Sequence, residues 1–325
     1  MSPVCEVIIL DSGRAKDIQP EREESGAPES IRRHPCYARE AHGKYARMHL
    51  PVAPRCNIGC NYCHRKFDCV NESRPGVTSK ILTPEAARDK FLLVREKVAN
   101  LSVVGIAGPG DALANWESTG KTIKLIKEAD PEVILCLSTN GLMLPDYARE
   151  IVALGVRHIT VTVNCLERAT GSRIYRYVGY RGQVYRGAAG AEVLLRNQQQ
   201  GIGYLAANGV LVKVNIVMIT GVNDDEVPEV VRRMKELGAF ITNIMPLVPA
   251  PGSVFQDCAP TGAAELNRMR DLCGRDMPQM RHCKQCRADA VGLLGEDRSR
   301  EFADAGKQTE TNCGGCRPEK VVAAS

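Results

Sequence analysis

The chain has 325 residues, with 43 Lys and Arg against 38 Asp and Glu, and a formal net charge of +5, a surplus too small and dispersed to mark a nucleic-acid surface. Aromatic residues make up 5% of it, too few for a platform that stacks single strands. No apolar stretch approaches the ~18 residues of a membrane span, and Met1–Leu10 lacks the basic start and long apolar core of a secretory signal, so the chain is expected in the cytoplasm. Fourteen cysteines without an export signal point to metal or redox chemistry rather than disulfides.

Residues 11–30 are polar, with Pro20, Gly26, Pro28 and several glutamates, and residues 1–30 read as a flexible N-terminal segment. The stretch from Ile31 to Lys44 is different in kind, because it packs His34, Cys36 and His42 together. Met48–Ala53 reads as a first strand that delivers a cysteine-rich loop. Thr83 caps a helix with Pro84 in its first turn, running to Asn100. Strands at Leu101–Ala107, Val133–Leu137, His158–Val163, Val210–Ile219 and Phe240–Met245 then alternate with helices at Trp116–Ala129, Pro145–Leu154, Ala188–Ala207 and Asp224–Leu237; a Gly/Tyr/Arg-rich loop precedes the third of these helices. Such alternation argues an α/β fold with a parallel sheet and helices outside. It ends too early for a full eight-unit barrel of ~250 residues. Reactive groups in parallel folds gather at the C-terminal ends of the strands. Residues 258–325 lose the alternation but carry Cys258, Cys273, Cys283, Cys286, Cys313 and Cys316. They read as a C-terminal extension of the core at 31–257.

Cys56, Cys60 and Cys63 fall within eight residues. Three thiolates so spaced can hold three irons of a four-iron cluster and leave the fourth open for chemistry, whereas full cysteine ligation suits plain electron transfer. Zinc is the lesser alternative, since the spacing departs from the paired C-x2-C of zinc ribbons. The spacing, with Tyr62 before the third cysteine, resembles the radical S-adenosylmethionine (SAM) superfamily. That resemblance implies an open, TIM-like (β/α)6 partial barrel. It also implies that the open iron chelates SAM and that a cluster electron cleaves it to a 5′-deoxyadenosyl radical. Gly108-Pro109-Gly110-Asp111 then looks like the element that meets the methionine amino group, although it departs from the commoner Gly-Gly-Glu form; on its own it is an ordinary turn. Ser138, Thr139, Asn140 and Asn164, ending later strands, look like further SAM contacts.

Six candidate ligands remain. Cys283 and Cys286 form a C-x2-C pair that by itself fits zinc, a redox dithiol or a cluster. Cys36 is a candidate third ligand, and Cys69 lies just beyond the first cysteine loop. Cys136, within a strand, has a buried hydrophobe as its alternative, and His42 has a structural role as its own. His34-Pro35-Cys36-Tyr37 with His42, the Cys56–His64 run, Asp68–Val77 and Gly105–Asp111 together resemble the NifB family of nitrogenase cofactor assembly. The resemblance implies two further [4Fe–4S] clusters, K1 and K2, making three in all. K1 falls to Cys69, Cys136 and His42, K2 to Cys36, Cys283 and Cys286, and Glu72 and Arg74 lie near K1 or SAM. It also implies SAM-dependent methyl transfer and radical chemistry that insert a carbide and fuse K1 with K2, with one added sulfur, into an [8Fe–9S–C] precursor. The partners implied are a NifU-like cluster donor and NifX- or NifEN-like acceptors, with the chain itself a monomer. Two rivals stay open: another radical SAM enzyme with auxiliary clusters acting on a peptide or small molecule, and a non-catalytic iron–sulfur scaffold.

Overall fold

In the computed structural model, which describes residues 29–71, 78 and 80–303, one helical turn, α1 (Glu29–Arg32), leads into the first strand, β1 (Ala46–His49). The next elements are β2 (Ile58–Cys60), α2 (Pro84–Lys97), β3 (Leu101–Ile106), α3 (Trp116–Ala129) and β4 (Ile134–Thr139). They are followed by α4 (Leu144–Ala153), β5 (His158–Thr162), α5 (Arg168–Ile174), β6 (Tyr175–Tyr180), β7 (Gln183–Tyr185) and α6 (Gly187–Ala207). The chain continues with β8 (Leu211–Met218), α7 (Val227–Glu236), β9 (Ile241–Pro246), α8 (Ala263–Cys273) and β10 (Val291–Gly292). Thr83 caps α2 as its sequence demands: its hydroxyl accepts from the Ala86 N–H at 3.2 Å, satisfying a donor that every helix start leaves open.

The large sheet has the order β10-β1-β3-β4-β5-β8-β9. Its six strands from β1 to β9 run parallel, and β10 is an antiparallel edge beside β1. Since β1 and β9 are not neighbours in that order, the barrel is open. It is the α/β partial barrel of six β/α units expected from the sequence. Side chains alternate across a strand, and the register divides them sharply. Met48, Val104, Leu135, Leu137, Ile159 and Val212 face outward and pack with Phe91, Val94, Ile123, Ile126 and Leu205 of the helices. Burying each such side chain stabilises the fold by about 1.5–3 kcal/mol.

The opposite face is unlike a packed barrel interior, which is filled by branched apolar residues. One row, read across the register, is His49, Gly105, Cys136 and His158; the next is Ser138, Thr160 and Lys213; a third is Thr162, Asn215 and Asn243. A barrel lined this way is built to hold something polar.

Two expectations are revised. The first strand was placed at Met48–Ala53, but β1 begins at Ala46. Its ladder with β3 ends when Leu50 donates to the Gly105 carbonyl at 2.9 Å, because the next N–H on that edge, that of Val52, turns back to the Leu50 carbonyl at 2.9 Å. The Gly/Tyr/Arg-rich loop is a hairpin: β6 and β7 pair antiparallel around Arg181 and Gly182, whose φ values of 51° and 77° form a two-residue turn. β6 also pairs with β2, so the cysteine loop is clamped in a separate three-stranded sheet.

Both chain ends of the described region close the barrel. The Tyr37 hydroxyl lies at 3.1 and 3.0 Å from the carbonyls of Ile159 and Leu211, near the N-terminal ends of β5 and β8. Beyond α8, the chain meets β9, where Thr242 donates to Pro278 O and Met280 donates to Thr242 O. It then reaches β1 through β10. The intervening segment, which carries Cys283 and Cys286, therefore spans the open side of the barrel from one edge strand to the other. Among the described residues, no helix is long and apolar enough to cross a membrane.

Candidate metal and cofactor site

The C-terminal ends of β1, β3 and β4 surround a cavity whose empty space, its open mouth included, is about 550 Å³. Cys56, Cys60, Cys63 and Cys69 line it with Gly110, Asp111, Ser138, Thr139 and Asn140, together with Arg176 and Tyr177 of the hairpin. Tyr62 is fully buried, and its hydroxyl donates to Asn71 Oδ1 and accepts from Asn164 Nδ2 at 2.7 Å. This pins the cysteine loop between the two halves of the sheet. A side chain at Gly59 would overlap the Tyr177 ring, so the β2–β6 clamp needs glycine there.

The glycine turn after β3 is bound to the cysteine loop by its backbone. Gly110 N donates to Ala53 O at 2.7 Å and Asp111 N to Arg55 O at 2.8 Å. A Cβ on Gly110 would overlap the Arg55 carbonyl. Gly108 stands behind this contact, its carbonyl accepting from Ala53 N at 3.3 Å. The Asp111 side chain is occupied by protein. Its carboxylate accepts from the N–H groups of Leu113 and Ala114 at 3.0 Å, from Asn140 N at 2.6 Å and from the Thr139 hydroxyl. Burial lifts the pKa of this carboxyl, and these donors oppose the shift. Asp111 thus ties the β3 turn to the end of β4, leaving Ser138, Thr139 and Asn140 as the polar wall. Asn140 Nδ2 reaches Asn57 Oδ1 at 2.7 Å and lies 3.8 Å from Cys56 Sγ. Asn164 does not line the cavity: besides holding Tyr62, its Oδ1 accepts from Val217 N at 2.9 Å. Glu72 and Arg74 lie outside the described residues, as do Cys313 and Cys316.

Burial pushes the Cys56 thiol up to about 11, with Asp111 adding to the rise, and it drives Cys60 well above the ordinary thiol range and raises Cys63. Buried thiols of this kind ionise when a cation supplies the missing charge, as metal coordination does. One buried and two half-buried cysteines beside an amide- and hydroxyl-lined cavity fit an iron–sulfur cluster with an open site facing a polar ligand.

A second cavity, of about 620 Å³, occupies the barrel interior itself. Cys36, Cys136, Cys283 and Cys286 line it with His34, His49, Arg47 and Lys213. It meets the first at Ser138, which lines both. Between them runs an amide chain: Asn215 Nδ2 donates to Asn71 O at 2.9 Å, and Asn243 Nδ2 donates to Asn215 Oδ1 at 3.0 Å. These cysteines therefore sit inside the barrel and not at the C-terminal ends of strands. The structure brings together Cys36, Cys283 and Cys286, with Cys136 on the facing strand. It places Cys69 on the first cavity. His42 is half-buried near His282, at 5.6 Å between ring centres, and lines neither cavity.

His49 is the imidazole that the sequence reading passed over. Its Nδ1 lies 2.9 Å from the Arg287 carbonyl, which places the proton on Nδ1 and the lone pair on Nε2, the arrangement that orients histidine ligands. Burial, and then the nearby Arg47, push its pKa down to about 4, so the ring is neutral. A Cβ on Gly105 would come within 2.8 Å of this ring; glycine there makes room for it. The signal for this lining was the alternation in Ile134–Thr139, His158–Thr162 and Leu211–Met218, where Cys136, Ser138, His158, Thr160, Lys213 and Asn215 interrupt strands that a parallel sheet would otherwise make apolar. Among the described residues, no three His, Cys, Asp or Glu side chains converge as around a single ion.

The Radical SAM superfamily model matches residues 50–234. The "FeMo cofactor biosynthesis protein NifB" of Herbaspirillum seropedicae is 52% identical over 278 residues, covering 84% of this chain and 53% of that protein. The protein of the same name from Klebsiella pneumoniae is 53% identical over 273 residues, covering 83% and 58% respectively. The chain thus spans a little over half the length of these relatives. Among solved structures, Streptococcus suis SuiB bound to precursor peptide SuiA superposes with a TM-score of 0.51 at 11% identity, covering 73% of this chain and 50% of that one, a likeness of fold. The superfamily implies a [4Fe–4S] cluster and SAM, and the cavity ringed by Cys56, Cys60 and Cys63 has the donors for both. The chain belongs to the radical SAM superfamily, and its resemblance within that superfamily is to NifB.

Proposed function

We propose that this chain is a radical SAM enzyme of nitrogenase cofactor assembly whose substrates are iron–sulfur clusters held in the barrel interior. The observation that carries this reading is the pair of abutting cavities, one lined by Cys56, Cys60 and Cys63 and the other by Cys36, Cys136, Cys283 and Cys286. When bound, the cluster on the first three cysteines supplies the electron that cleaves SAM to a 5′-deoxyadenosyl radical. The protein's own part is positional. Asp111 and Gly110 fix the cysteine loop against the β4 end, Ser138 and Asn140 line the SAM cavity, and Tyr62 with Asn71 and Asn164 keeps that loop rigid. Rigid, water-poor placement is what radical transfer between neighbouring groups requires.

On this reading Cys36, Cys283 and Cys286 hold the K2 substrate, and Cys136 with His49 faces it as part of the K1 site, alongside Cys69 from the adjoining cavity. Few thiolates per cluster allow the product to leave, and a neutral imidazole is displaceable by protonation. One SAM gives its methyl to a K2 sulfide. A second would yield the radical that takes one hydrogen from that methyl; loss of the remaining two as protons and supply of a ninth sulfide would then let carbide insertion fuse K1 and K2 into the [8Fe–9S–C] product. A NifU-like donor would load the clusters and NifX- or NifEN-like acceptors would take the product.

The test is anaerobic reconstitution with iron and sulfide, then dithionite and SAM. Formation of 5′-deoxyadenosine together with S-adenosylhomocysteine, and of a cluster that activates cofactor-less nitrogenase, is expected. Cys283→Ala should still cleave SAM in part while forming no product cluster. Full product yield from that variant refutes the K2 assignment, and absence of SAM turnover in the parent chain leaves a scaffold instead.

A further inference from the structure

Arg47 is an improbable residue for the inside of a barrel. It is 3% exposed, and a buried guanidinium is costly unless its donors are met. Two of them are. Nη1 donates to the Gly292 carbonyl at 2.6 Å, and Nη2 donates to Cys286 Sγ at 3.2 Å. The third nitrogen, Nε, is buried without a partner. It is not alone, because His34 Nε2 and Gln285 Nε2, on the lining of the same cavity, are also buried without partners. Since His34 Nδ1 accepts from Cys36 N at 3.1 Å, the proton of the neutral ring sits on that unmet Nε2. The cavity wall therefore carries unsatisfied N–H groups, which are costly if left so. A ligand rich in acceptors would satisfy them. Lys213 adds a second cation to the same wall.

An iron–sulfur cluster held by thiolates is anionic overall, and its bridging sulfides accept hydrogen bonds that shift its potential. We propose that Arg47 is a positioning residue of the interior cavity: its guanidinium orients the Cys286 thiolate and, with Lys213, forms a cationic, donor-rich wall that retains an anionic cluster substrate held by few protein ligands. This rests on the reading of that cavity as a cluster site. Gripping by hydrogen bonds and charge retains the cargo without adding permanent iron ligands. A positive donor on a ligand sulfur also favours the reduced, more negative state, so its loss lowers the cluster potential.

The structural alternative is that Arg47 only ties β10 to β1 through Gly292. Arg47→Gln keeps a donor for that carbonyl but removes the charge, whereas Arg47→Lys keeps the charge but loses the fork. Lys213→Met sits on β8, remote in the sheet from β10, and removes the second cation. Each variant is reconstituted anaerobically, and three quantities are measured: the rate of iron loss to a chelator, the midpoint potential of the signal absent from Cys286→Ala, and the unfolding midpoint of the cluster-free chain. Arg47→Gln is expected to lose interior iron at least tenfold faster and to shift that potential down by about 59 mV, a tenfold change in the one-electron ratio. Lys213→Met should move both in the same direction, and Arg47→Lys should recover most of the loss. Unchanged potential and retention in both Arg47→Gln and Lys213→Met overturn the inference, as does faster iron loss that only follows a lowered unfolding midpoint at constant potential. Iron contents equal in the parent chain and Cys286→Ala overturn the reading of the cavity, and the inference with it.

Discussion

Replacing Asp111 separates two roles that a carboxylate beside SAM can have. If it binds the SAM ammonium, Asp111→Ala weakens SAM binding and leaves the cluster-free, SAM-free chain as stable as before. The structure assigns the other role, because the N–H groups of Leu113, Ala114 and Asn140 and the Thr139 hydroxyl all point at this one side chain. Truncation strands three backbone donors at a buried site, at about 1–3 kcal/mol each. Water entering from the adjoining cavity recovers part of that, so the expected loss is about 3–6 kcal/mol. Guanidinium denaturation of the cluster-free chain under argon, with SAM affinity measured separately, reads both quantities. Asp111→Asn should be intermediate, since its amide keeps one oxygen to accept and turns a second N–H towards donors. A loss below about 1 kcal/mol in Asp111→Ala, smaller than one stranded donor, would sink the loop-anchor argument and return Asp111 to the SAM site.

Gly110→Ala should cost about 1–3 kcal/mol, the usual range for overpacking, and raise the KM for SAM, because its Cβ meets the Arg55 carbonyl that anchors the cysteine loop; normal stability and KM would mean that this contact yields. Cys60→Ala, on the clamped strand, should abolish 5′-deoxyadenosine formation, which chromatography of the quenched reaction checks. His49→Ala should lower the iron retained beyond the first cluster while His42→Ala leaves it near the parent value, and the reverse order in an iron assay would restore His42 as the ligand.

The outer half of each strand was legible because burial against helices imposes plain apolar residues on a period of two. Cap chemistry at Thr83 and Pro84 was equally local, and so was read correctly. The β6–β7 hairpin was not, because Arg181 occupies a turn position that normally calls for Asn, Asp or Gly, and the alternation of Tyr175, Tyr177 and Val178 around it was read as loop. Among site residues, Cys56, Cys60 and Cys63 announce themselves by spacing alone. Cys36 and the Cys283–Cys286 pair are some 250 residues apart, and only their shared resemblance joined them before the fold did. His49 and Arg47 carry no motif. They matter because β1 faces the segment that spans the open side of the barrel, a tertiary fact. Asp111 and Asn164 show the converse limit, since a polar residue at a strand end serves backbone donors as readily as a ligand.

The two cavities differ in how firmly the segments that carry their thiols are held, and that difference follows from where each lies. At the first, burial dominates: Cys56 is pushed up to about 11, a neighbouring carboxylate adds to the rise, and the loop around it is fixed by Tyr62, Asn71 and Asp111. Arg65 and Arg176 on the same wall oppose the rise at these thiols, and the site is held rigid, which suits a group that remains while many SAM molecules pass. At the second, burial also lifts Cys36 to about 11, but Lys213 and Arg47 oppose the rise. Two of its cysteines ride on the segment between α8 and β10, which has no helix or strand of its own. Segments with few backbone bonds open at lower free energy than the strands beside them. Ligands supplied by a segment less firmly bonded than a strand give affinity without permanence. On the proposed reading, in which the interior site releases what it has built, that looser hold is required, and the resident cluster site does not share it.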